Sequence, residues 1–66
     1  MSISPSSQQQ EKYSMLMQQA STLQAELEVM HQTATSLGDK GMMRLLDGLM
    51  ESNTMLVTHI KSQAEV

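Results

Sequence analysis

From Tyr13 onward, apolar side chains return every three or four residues: Tyr13, Leu16, Ala20, Leu23, Leu27, Met30, Ala34 and Leu37. That alternation of threes and fours is a heptad row, and it predicts a helix that turns one continuous face to a neighbour. Gln19, Gln24, Glu26, His31 and Thr33 fall beside the row and are expected on solvated flanks. Residues 1–12 are dominated by Ser and Gln, too polar to pack on anything, and are expected to form a flexible N-terminal segment. Helix-start signals nevertheless lie within it. Ser4 before Pro5 fits an N-cap with proline at the first helical position, and Ser7 with Gln10 fits a capping box. The first helix is therefore expected to begin between Pro5 and Gln10, near residue 8, and to run to Leu37.

Gly38 follows the last apolar position of that row, where a left-handed glycine commonly stops a helix. Asp39 is placed to cap the next helix, accepting from the free N–H groups of its first turn. The second helix is predicted from about 40 to about 62. So short a connection makes the pair fold back on itself, giving an all-α, two-helix antiparallel hairpin over residues 13–66 with coiled-coil-like packing.

The second helix holds two overlapping heptad rows. One is Met42, Leu46, Leu49, Asn53, Leu56 and Ile60; the other is Met43, Leu46, Met50, Asn53, Val57, Ile60 and Ala64. An apolar surface that wide exceeds what a single neighbouring helix covers. One row closes on the first helix, and the other is left for a third body, which completes the structure either as a partner chain or as a second hairpin. Asn53 lies where both rows cross, as a buried amide that sets register or as a wet gap in the seam. Methionine suits surfaces that adapt to a partner, and it also fills ordinary helical cores. The candidate partner-binding positions are Met42, Met43, Leu46, Leu49, Met50, Asn53, Leu56, Val57 and Ile60, with Met15 and Met17 at the edge of the first helix.

Composition strengthens the need for a third body. A chain of 66 residues forms one domain at most and buries little surface of its own. It contains no cysteine and only two histidines, so disulfides and a structural metal do not make up the deficit. The net charge is −3, with four basic residues dispersed at Lys12, Lys40, Arg44 and Lys61, which argues against nucleic acid and anionic membranes. No basic segment followed by an apolar run opens the chain, and no stretch is long and apolar enough for a membrane span. The expected location is the cytosol.

Catalysis or metal binding would have to come from His31, His59 and the carboxylates. In a hairpin turning near Asp39, His31 stands level with Asp47 and His59 with Gln19, which separates the two histidines by about 18 Å along the axis. They cannot share a metal within one hairpin. A His31–Asp47 pair is within reach, although a solvated flank histidine is the commoner outcome. Glu26, Glu28, Asp39, Asp47 and Glu51 scatter over several faces. No catalytic residue, cofactor or metal is expected, and Gly48 falls on the polar face with Arg44 and Glu51.

Two antiparallel helices, a Gly38-Asp39 turn just past the midpoint and an over-apolar second helix resemble the small YscE/PscE-like co-chaperones of bacterial type III secretion needles, over residues 13–64. The resemblance implies a hairpin that pairs with a larger chaperone of tetratricopeptide-like helices and keeps an aggregation-prone needle subunit in the cytosol until export. It would place the partner contacts on the apolar positions of the second helix and on the Met15 and Met17 edge. This chain is richer in methionine and lacks aromatic residues near its C-terminus. The competing expectation is a self-associating regulator or adaptor, built as a homodimeric four-helix bundle.

Overall fold

The computed structural model describes residues 5–64. They form α1, Pro5–Leu37, and α2, Lys40–Ala64, packed side by side as an antiparallel hairpin. Ser4, the expected N-cap, lies outside the described residues, as do the first four residues of the segment expected to be flexible. Residues 5–12 belong to α1. Residues 7–12 are exposed, and from Ser7 onward the first side chain of α1 to turn inward is Tyr13.

The turn is built from two overlapping caps. The Gly38 N–H donates to the Thr35 carbonyl at 3.0 Å, and the Asp39 N–H donates to the Ala34 carbonyl at 3.1 Å, the paired bonds of a Schellman motif. That motif needs a left-handed residue at its pivot, and Gly38 has φ of +69°. Asp39 then opens α2, its Oδ1 accepting from the Met42 N–H at 3.0 Å while its carbonyl accepts from Met43. One residue thus finishes α1 and starts α2.

The Cα trace extends over 60 × 15 × 10 Å, with a radius of gyration of 16.0 Å. A compact chain of this length would have a radius near 11 Å, so the hairpin is a rod with a single seam for an interior. From α1 that seam takes Tyr13, Met17, Ala20, Gln24, Leu27, His31 and Ala34; from α2 it takes Met43, Leu46, Met50, Asn53, Val57, Ile60 and Ala64. Leu27, Ala34 and Leu46 form its buried centre, with Met43 and Met50 packed against them.

The row of α2 that closes the hairpin is the one containing Met43, Met50 and Val57. On α1 the inward face differs from the expected one. Tyr13, Ala20, Leu27 and Ala34 turn inward as predicted, but Leu16, Leu23, Met30 and Leu37 are exposed, and Met17, Gln24 and His31 occupy the seam instead. The reason lies across the interface. Asn53 is buried and needs acceptors, and its Nδ2 finds them in the Ala20 carbonyl at 3.0 Å and the Gln24 Oε1 at 3.2 Å. The methyl side chain of Ala20 lets α2 approach closely enough to reach that carbonyl. A leucine row in the same place would leave the amide without partners in an apolar seam.

Candidate functional site

Turning Met17, Gln24 and His31 inward moves the leucine row of α1 a quarter-turn round, onto one side of the rod. The second apolar row of α2, Met42, Leu49 and Leu56, emerges on that same side. Leu23, Leu27, Leu49, Ser52, Asn53 and Leu56 line one groove between the helices. Leu16, Leu23, Met30 and Leu37 thus join Met42, Leu49 and Leu56 in one two-helix apolar face, with exposures from 43% at Leu23 and Met42 to 71% at Leu37. For side chains of this type such exposure is unfavourable over a contiguous area.

The other side of the hairpin is polar and largely satisfied from within. Its groove is lined by Met17, Ala20, Ser21, Gln24, Asn53, Thr54 and Val57. The Thr54 hydroxyl donates to the Met50 carbonyl, and His31 Nε2 lies 3.0 Å from Asp47 Oδ1. The histidine is therefore paired rather than left free on a flank. Asn53 bridges the two sides. It is 4% exposed, its Nδ2 is doubly engaged, and its Oδ1 has no hydrogen-bond partner among the described residues. The amide is thus buried rather than wet.

Charge follows the same division. Heptad position puts Lys40, Arg44, Asp47, Glu51 and Lys61, the charged residues of α2, on the polar side, and Glu28 of α1 with them. Among the described residues Lys12, Glu26 and His59 border the apolar face along its length, and Asp39, whose Oδ1 accepts from the Met42 N–H, stands at its turn end. The seven large side chains of the face carry no charge.

The sequence-derived partner positions divide into three groups. Met42, Leu49 and Leu56 lie on the open face. Met43, Leu46, Met50, Asn53, Val57 and Ile60 hold the hairpin together, and Met17 enters its polar groove. Met15 is exposed, on the edge of α1 facing away from α2. Leu16, Leu23, Met30 and Leu37 were expected to face α2 and instead supply more than half of the open face. The signal that locates them is Asn53: a buried amide in α2 calls for a polar neighbour at its own level, and Gln24 is the residue of α1 that answers.

Among the described residues no three His, Cys, Asp or Glu side chains gather as metal ligands, and no helix is long and apolar enough to cross a membrane. No protein family, curated protein or solved structure matches the chain.

Proposed function

We propose that the chain is a non-enzymatic, protein-binding helical hairpin whose working surface is the Leu16, Leu23, Met30, Leu37, Met42, Leu49 and Leu56 face. The observation that carries this reading is the sorting of side chains on a rod with one thin seam. The hairpin spends Gln24, His31 and Asn53 on its own closure and leaves two rows of Leu and Met, side by side, in solvent. Helical partners read such a strip by placing their own apolar ridges into its grooves. A co-chaperone of the type III secretion kind is one form of this function, with a larger helical chaperone as occupant; a self-associating adaptor is the other.

Site-specific photo-crosslinking tests the reading. A photoreactive residue at Leu49, on the open face, should give discrete protein adducts in the host cell, and the same residue at Thr54, on the polar side, should give few. Equal labelling from both positions, or none from Leu49, would refute it.

A further inference from the structure

We infer that the occupant of the open face is a second copy of this chain, the two hairpins closing as a four-helix bundle with their turns at the same end. This rests on the protein-binding reading and names the partner. Area is the first argument. Half-exposed Leu and Met residues each leave on the order of 90 Å² uncovered, so the seven of them amount to about 600 Å² per chain, the upper end for the largest patch on a monomer. Two such faces together offer about 1,200 Å² before their rims are counted, and covering them reaches the lower edge of what a specific stable interface uses.

Charge is the second argument. A chain of net charge −3 repels its own copy unless the charges stay clear of the contact. Here the charged residues of α2 lie on the far side, Glu26 is the acidic residue along the border of the face, and Asp39 stands beyond Met42 at its turn end. An apolar, almost uncharged surface is self-complementary, which a two-fold interface requires.

Register is the third argument, and it selects the arrangement. Leu23 shares its groove with both Leu49 and Leu56, so the two exposed rows are offset by half a heptad across the hairpin. A half-turn about an axis parallel to the helices lays α1 of one hairpin on α2 of the other with that same offset, and each side chain enters a gap in the facing row. A half-turn about an axis running across the helices at the midpoint of the face, where the two faces overlap most, would place Leu23 level with the partner subunit's Met30 and bring Glu26 beside its own copy. That second arrangement opposes like charges and stacks bulk on bulk.

The experiment uses the full chain. Sedimentation equilibrium at micromolar concentration is expected to give twice the 7.3 kDa chain mass, and Leu49→Glu is expected to sediment as a single chain. A wild type that stays monomeric through high micromolar concentration overturns the inference, as does a Leu49→Glu variant that remains dimeric. Since the native chain has no cysteine, a second measurement is independent of how well the charged variant folds. Leu23→Cys and Leu49→Cys, mixed and mildly oxidised, should form a mixed disulfide dimer faster than Leu49→Cys alone forms its own. If Leu49→Cys alone crosslinks faster, the same-end arrangement is overturned. If the chain is monomeric and Leu49 photo-crosslinks only to a foreign protein, the second copy is excluded while the protein-binding reading stands. If it is monomeric and Leu49 labels nothing, both fall.

Discussion

Replacing Asn53 with leucine should make the protein more stable, although it deletes both hydrogen bonds that Asn53 makes across the seam. Asn53 Nδ2 donates to the Ala20 carbonyl at 3.0 Å and to the Gln24 Oε1 at 3.2 Å, and their loss costs about 1 kcal/mol each. Neither acceptor is stranded by the change. The Ala20 carbonyl keeps its place in the hydrogen-bond ladder of α1, and the half-buried Gln24 amide can turn to water. Against that loss stands the buried Oδ1, which has no partner and whose removal recovers about 1–3 kcal/mol of desolvation. Burying a leucine side chain in its place adds roughly 1.5–3 kcal/mol. The site opens onto a groove at either side, so the added methyls have room. The balance favours Asn53→Leu by about 2 kcal/mol, which in a chain this short raises the melting temperature by about 10 °C. Thermal denaturation followed by circular dichroism, at one fixed chain concentration because association shifts the midpoint, measures it. Asn53→Asp provides the opposite control: a carboxylate aimed at two acceptors in a buried seam should lower stability by several kcal/mol. The same leucine should also blur the stoichiometry of the assembled form, because a polar residue in an apolar seam is what penalises alternative registers. A leucine variant that melts at or below the wild type, with unchanged mass in sedimentation, would refute the reasoning.

Two further pairs of substitutions probe the turn and the two rows of α2. Gly38→Ala should cost about 1 kcal/mol, purely through its positive φ, since a Cβ built there meets nothing within 4 Å. Gly48→Ala, inside α2 with equally open space, should instead stabilise by about 0.5–1 kcal/mol, and a reversed order in thermal melts would contradict the placement of the turn. The paired change Met50→Glu/Val57→Glu puts carboxylates into the seam that closes the hairpin and should abolish the helical signal. Leu49→Glu/Leu56→Glu puts them on the open face and should leave most of that signal while removing association; loss of helicity in both to the same extent would contradict the division between seam and face.

Local chemistry made some parts of this structure readable from the residues and left others hidden. Gly38 and Asp39 determine the turn through conformational preference and capping, both of which act within a few residues, so the antiparallel hairpin could be derived from them. On α2, the Met43 row and the Met42 row are equally apolar, and nothing local ranks one above the other. On α1 the preference for the stronger apolar row, Leu16, Leu23, Met30 and Leu37, pointed to the wrong face. A helix bearing three adjacent rows can turn either neighbouring pair inward, and the choice is made by what the other helix presents. Here Asn53 and Asp47 draw Gln24 and His31 into contact, a matching across the interface that periodicity within one helix does not register. The open face inherits that difficulty, since its α1 half consists of the residues that the hairpin declined to bury.

The two-cap turn also determines how the molecule comes together in time. Because Asp39 completes one helix and initiates the next, Leu27 and Ala34 meet Leu46 after closing only a short loop. Each later pairing, out to Asn53 with Ala20, extends a ladder whose previous rung is already formed. The contacts nearest the turn have the lowest sequence separation and close fastest, whereas Asn53 and Ala20 are 33 residues apart. Closure from the turn outward is therefore the expected order, placing Leu37 and Met42 on the open face before Leu16 and Leu56. A second copy docking as inferred above would therefore meet first the end of the open face nearest the turn.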